Sequence, residues 1–174
     1  MTASYRVWFR VVGTVVVLVA LCAQNAGADD SVQGYRLRTA FTGPGACLSF
    51  VDYGPSENLR MKPCSDSSTQ RWFVESTKLH GYYRLRNAGA GPSRCLDVLN
   101  DGTNDKLRMA ECGNFSGQHW VFVQRDVPWA GQLWNLFTGP GRCLDIINDG
   151  INDRLKMAPC GDYTGQSWRL SKAP

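Results

Sequence analysis

The chain has 174 residues, a formal net charge of +4 at pH 7 and seven cysteines. That length suits one domain with a real core, and a charge so mild, with no basic run, gives no footing for nucleic acid.

Residues 1–28 predict a secretory signal. Arg6 and Arg10 precede an apolar run from Val11 to Cys22, Ala26-Gly27-Ala28 puts small residues at a cleavage site, and Asp29 follows. The run falls short of the roughly 20 residues that a membrane span needs. A secreted chain of residues 29–174 is expected, extracellular or periplasmic, with no membrane contact after cleavage. Removing Arg6, Arg10 and Cys22 leaves a net charge near +2 and six cysteines. Six cysteines in an exported chain suggest disulfides rather than reactive thiols, and the close C-x-x-C pairs of a zinc site are missing.

From there the sequence writes one unit three times, at Cys47–Trp72, Cys95–Trp120 and Cys143–Trp168, each 48 residues after the last and without a gap. Over 26 positions the second and third units agree at 16 and the first and third at 10, so the first is the divergent copy. Repeats of about 34–80, 81–128 and 129–174 are expected. Each reads as four short strands. The first carries Leu37, Leu85 or Leu133, and a Gly/Pro turn follows (Gly43-Pro44-Gly45, Gly91-Pro92, Gly139-Pro140-Gly141). The second begins at the early cysteine and its leucine (Leu48, Leu96, Leu144), before a polar loop with Gly54, Gly102 or Gly150. The third alternates, with Leu59/Met61, Leu107/Met109 and Leu155/Met157 on one face and Arg60, Arg108 and Lys156 on the other. The fourth is Gln-x-Trp: Gln70/Trp72, Gln118/Trp120, Gln166/Trp168. No segment has a helical period, so the chain is all-β. A closed threefold body would bury the three tryptophans at one axis and hide most strand edges.

The repeat also restricts the cysteine pairing. If equivalent positions behave alike, each early cysteine joins a late one either within its own unit or one unit away. The within-unit choice closes a short loop and gives Cys47–Cys64, Cys95–Cys112 and Cys143–Cys160, each bridge contributing roughly 3 kcal/mol.

Three Gln-x-Trp units at one spacing, each with a C-L-D-type strand and a cysteine pair, resemble the ricin B-chain-type lectins and the related xylan-binding modules. The similarity covers residues 34–171. It implies a β-trefoil of three 48-residue four-strand repeats with one disulfide per repeat, six strands forming a barrel and six forming hairpins. It further implies one shallow sugar pocket per repeat, not all active. The implied function is non-catalytic binding of carbohydrate, with a multivalent glycan or polysaccharide as partner and no cofactor or metal.

In such a pocket a carboxylate accepts from sugar hydroxyls, an aromatic ring stacks on the pyranose and an amide completes the polar set. The resemblance puts the carboxylate after C-L: Asp97 and Asp145, but Ser49 in the first repeat. The usual platform, two residues before the late cysteine, is replaced by Lys62, Ala110 and Ala158. The amide before Gln-x-Trp is replaced by Thr69, Gly117 and Gly165. Phe115 and Tyr163, in the loop after the late cysteine where the first repeat has Ser67, either offer substitute platforms or pin that loop. The expected sites are therefore Asp97, Asn100, Asn114 and Phe115 in the second repeat and Asp145, Asn148, Asp162 and Tyr163 in the third. Arg108 and Lys156 either favour an acidic sugar or pair with the two aspartates. Asn114-Phe115-Ser116 is a glycosylation sequon in a eukaryotic source.

Other chemistries find less support. The Asn100-Asp101-Gly102 and Asn148-Asp149-Gly150 loops lack the EF-hand ligand spacing and read as tight polar turns. His80 and His119 sit at non-equivalent positions without a nucleophile, and His119, as the x of Gln-x-Trp, is expected to face outward. The competing reading is a protein-binding trefoil with degenerate sugar sites. Trp129 and Trp134 would carry it as an exposed pair docking a protein partner.

Overall fold

The computed structural model describes residues 33–52, 59–124 and 130–174, of which Gln33–Pro174 is one compact unit. The signal segment, Gly54 and Trp129 lie outside the described residues.

Each repeat supplies four strands, as the alternation predicts. The first gives β1 (Tyr35–Thr39), β2 (Ala46–Phe50), β3 (Leu59–Pro63) and β4 (Trp72–Ser76). The second gives β5 (Tyr83–Asn87), β6 (Arg94–Val98), β7 (Leu107–Glu111) and β8 (Trp120–Gln124). The third gives β9 (Ala130–Asn135), β10 (Gly139–Ile146), β11 (Leu155–Pro159) and β12 (Trp168–Lys172). The outer strands of the repeats pair antiparallel in a closed ring, β1–β4–β5–β8–β9–β12 and back to β1. The inner strands form the hairpins β2–β3, β6–β7 and β10–β11. Closing the ring removes the unpaired edges an open sheet would expose. The hairpins are tied to one another, the Met61 N–H donating to the Asp153 carbonyl at 2.7 Å and the Met157 N–H to the Asp105 carbonyl at 2.8 Å. This is a β-trefoil.

The core repeats with the sequence. Leu37, Leu85 and Leu133 line the barrel, Leu48, Leu96 and Leu144 the hairpins, and all are buried with Met61, Met109 and Met157. Trp72, Trp120 and Trp168 are fully buried. Each indole N–H donates to a leucine carbonyl, Leu48, Leu96 or Leu144, at 2.8–2.9 Å. A buried tryptophan needs that partner, because an orphaned indole N–H costs about as much as a lost hydrogen bond. The glutamine two residues earlier closes the adjoining loop. Its Oε1 accepts from the backbone of Ser65, Gly113 or Gly161, and its Nε2 donates to the carbonyl of Pro63, Glu111 or Pro159. Gln-x-Trp is thus one structural device used three times.

The disulfides join Cys47–Cys64, Cys95–Cys112 and Cys143–Cys160, each with its Cα atoms 5.0 Å apart. Each bridges its hairpin to the loop that the glutamine closes. Gly43 and Gly91 take φ of +75° and +104° in the turns the Gly/Pro signal marked, a region where a Cβ would be strained; in the third repeat the expected turn Gly139-Pro140-Gly141 instead lies within β10, with Gly139 opening the strand at +77°.

Two further expectations fail. His119 is buried at 2% exposure rather than facing outward. The strand begins at Trp120, so His119 belongs to the preceding turn, and Tyr82 covers it edge-on with ring centroids 6.2 Å apart. Trp134 is half-buried, not a free platform, because the same Tyr82 meets its indole edge-on at 5.9 Å.

Candidate functional site

The second repeat carries an open cleft of about 750 Å3, lined among others by Asp97, Asn100, Arg108, Asn114 and Phe115. All four of the residues expected there are brought together. β6 delivers Asp97, one residue beyond the buried Leu96, so the strand's alternation turns the carboxylate away from the core. The loop after Cys112 delivers Asn114 and Phe115, and the loop beyond β6 delivers Asn100.

Asp97 is nearly enclosed, its side chain 8% exposed. Its Oδ2 accepts from Arg108 Nη2 at 3.2 Å and Nε at 3.3 Å, and the two residues face each other across β6 and β7. Burial nonetheless raises the Asp97 pKa above its ordinary 3.8, outweighing the Arg108 partner and the lesser hydrogen bonds that pull it down. Arg108 is committed to this pair, which answers the question of its role: it holds the carboxylate rather than standing free.

The aromatic ring lies open. Phe115 is 62% exposed, and its ring rests on Gly113, where a Cβ would stand 2.3 Å from the ring edge. Tyr163 repeats this over Gly161 at 2.5 Å and is 63% exposed. The first repeat has Ser65 and Ser67 at these two places, so both the ring and the glycine that admits it are missing there.

The third repeat matches in outline. Asp145 is half-buried on β10, its Oδ1 accepting from the Ile146 N–H at 2.8 Å and its Oδ2 from Gln166 Nε2 at 3.0 Å. Asn148, Asp162 and Tyr163 are exposed. Lys156 faces Asp145 across the hairpin as Arg108 faces Asp97. In both repeats the carboxylate fills the space above a glycine, Gly117 or Gly165. The polar loops behave as tight turns. Asp101 Oδ1 accepts from the N–H groups of Thr103 and Asn104, and Asp149 Oδ1 from those of Ile151 and Asn152, at 2.9–3.1 Å. Among the described residues no three metal-ligating side chains cluster.

Among the lining residues not anticipated, one comes from another repeat. Phe137, in the turn after β9, reaches the second repeat's cleft from the third repeat. Its counterpart Phe41 in the first repeat is bonded to the third repeat's loop, its N–H donating to the Thr164 carbonyl at 3.2 Å. Gly89 is the counterpart beside the first repeat's loop, with its N–H on the Ser68 carbonyl at 3.0 Å. The aromatic is therefore supplied by the following repeat, and it is missing beside the same repeat that lacks aspartate. A scan of single repeats cannot show this, because the closed order of the ring creates the contact.

A family profile described as the ricin-type beta-trefoil lectin domain matches residues 33–128, more than half of the chain. The chain belongs to this family. No curated protein matches it in sequence. Among solved structures, the designed threefold-symmetric protein ThreeFoil is 22% identical, with a TM-score of 0.66 over 79% of this chain and 96% of that one. A mosquitocidal holotoxin is 17% identical with a TM-score of 0.68, covering 81% of this chain and 17% of its own. The Polyporus squamosus lectin, solved with the human-type influenza-binding epitope Neu5Aca2-6Galb1-4GlcNAc, is 18% identical with a TM-score of 0.66, covering 80% and 48%. This chain thus spans less than half the length of the last two. At these identities the likeness shows the fold.

Proposed function

We propose that this ricin B-type trefoil binds carbohydrate without catalysis, through shallow clefts in its second and third repeats, and acts as a secreted protein on multivalent glycans. The observation that carries the reading is the second-repeat cleft, where an ordered carboxylate, Asp97, and an open ring, Phe115, share one wall system with two exposed amides. A pyranose needs that combination: acceptors for its hydroxyls and a flat apolar face for its C–H groups. Membership of a lectin family supports the same class of ligand. The equivalent Asp145 and Tyr163 offer a further site in the third repeat, and two weak sites gain by avidity on a repeating polymer. The first repeat is silent, having serine for both the carboxylate and the ring.

The test is a glycan array on the mature protein, followed by titration of the best ligand with Phe115→Ala, Tyr163→Ala and the double variant. Each single change should weaken binding several-fold and the double change should abolish it. Unaltered affinity in the double variant would sink the two-cleft reading.

A further inference from the structure

A second cleft, of about 550 Å3, lies on the outer wall where the first and last strands meet. Its lining includes Arg38, Thr39, the Gly43-Pro44 turn, Arg169 and Ser171, and no carboxylate. In the register of β1 and β12, Arg38 stands directly opposite Arg169. Like charges in direct cross-strand opposition are unfavourable. No described residue relieves this pair. Among the described residues the Arg38 side chain makes one weak contact, Nε to Cys47 Sγ at 3.4 Å, and the Arg169 side chain is exposed with no hydrogen bond or ion pair.

The other two repeat junctions solve the same position differently. At β4–β5 the facing residues are Phe73 and Arg86, with the guanidinium 4.7 Å above the ring and held by Glu75. At β8–β9 they are Val121 and Trp134. Further along β1, Arg36 has its own carboxylate, Asp66, at 2.5 Å. The chain thus neutralises or avoids arginine at each comparable place and leaves two facing guanidiniums at this one. Ser171 Oγ, on the same strand face as Arg169, is buried without a hydrogen-bond partner.

We propose that this junction is an anion site, in which Arg38 and Arg169 jointly hold a doubly charged oxyanion, a sulfate or phosphate ester. Two planar donors converging on one tetrahedral group is the arrangement in which guanidinium excels, and the Ser171 hydroxyl supplies one further donor. The site is separate from the Asp97 cleft, and its ligand is either a free oxyanion or an ester carried on an acidic glycan.

The test titrates full-length mature protein at fixed ionic strength with inorganic sulfate, inorganic phosphate and a sulfated dextran oligosaccharide, with neutral dextran as control. The key variant is Arg169→Phe, which installs the pairing used at β4–β5 and so is expected to fold. It should lose roughly tenfold or more in affinity for whichever anion the wild type binds. Low-millimolar sulfate should also raise the melting temperature of the wild type more than that of Arg169→Phe, which separates binding from the general salt effect. Binding of inorganic sulfate assigns a free-anion site, and binding of the sulfated oligosaccharide alone assigns an ester on glycan. Equal responses of wild type and Arg169→Phe to every anion, or no binding by either, overturn the proposal.

Discussion

Gly117 and Asp97 share one space: a Cβ on Gly117 would stand 2.2 Å from Asp97 Oδ1. Gly165 has the same relation to Asp145 at 2.3 Å. In the first repeat the corresponding pair is Ser49 and Thr69, a short side chain facing a branched one. Carboxylate with glycine, or serine with threonine, are two ways of filling one volume. Ser49→Asp alone should therefore destabilise the fold, and Thr69→Gly in the same chain should recover part of the loss. A double-mutant cycle by urea unfolding should give a coupling of about 0.5–3 kcal/mol, and a cycle that closes at zero would show the two positions to be independent.

Phe137 makes the Asp97 cleft of the second repeat a product of two repeats. Phe137→Leu keeps apolar volume beneath the turn and removes the flat ring. Glycan affinity at the Asp97 cleft should fall by about fivefold, worth roughly 1 kcal/mol, while Tyr163-dependent binding is unchanged. Chemical-shift perturbation during titration, read separately at Phe115 and Tyr163, distinguishes the two clefts.

Acid should act on Asp97 in two opposed ways. Because its pKa is raised in the folded protein, the native state takes up this proton more readily than the unfolded chain does. Its charge therefore costs stability at neutral pH, a cost relieved as pH falls through the raised value. Sugar binding at the Asp97 cleft moves the other way, since the acceptor carboxylate is lost over that range. Asp97→Asn should flatten both profiles, checked by glycan titration and urea unfolding across the acid limb.

His119 should make the protein acid-sensitive in a milder range. Both ring nitrogens are buried without a hydrogen bond, and burial, with the Arg84 charge second, lowers its pKa below 6.5. Above 6.5 both native and unfolded forms are neutral there and the histidine is without effect. As pH falls below that value the unfolded chain gains a proton that the native state resists, so stability declines until the folded pKa is passed. His119→Ser, the residue the third repeat uses at Ser167, should reduce the difference in unfolding free energy between about pH 8 and about pH 5. An unchanged difference would assign the acid loss elsewhere.

What was legible in the sequence was whatever a repeat states three times. The barrel, the hairpins, the intra-repeat disulfides and the buried Trp72, Trp120 and Trp168 all follow from the period, because three equivalent solutions must satisfy one packing problem. Asp97, Asn100, Asn114 and Phe115 converge because they lie within one repeat. The unread features depend on contacts that the period does not state. Phe137 enters a cleft belonging to the preceding unit, and Tyr82 reaches over to bury His119 and half-cover Trp134. Gly117 and Gly165, read as lost amides, are the room that the carboxylates need, a relation of volume that residue type alone does not express.

The seam between β1 and β12 gives the molecule a last stitch. Five residue pairs, from Tyr35 with Lys172 to Thr39 with Trp168, join the beginning of the barrel to its end, and the Ala173 N–H closes on the Gly34 carbonyl at 2.8 Å. A ribosome must deliver the domain through β12 before this ring can shut, so a nascent trefoil carries β1 with one flank bare until β12 emerges. The same proximity of head and tail means that the break in the circle is arbitrary. A short linker across it, with new ends opened at the exposed Gly81 turn, would rewrite the order of the repeats without altering any strand's neighbours.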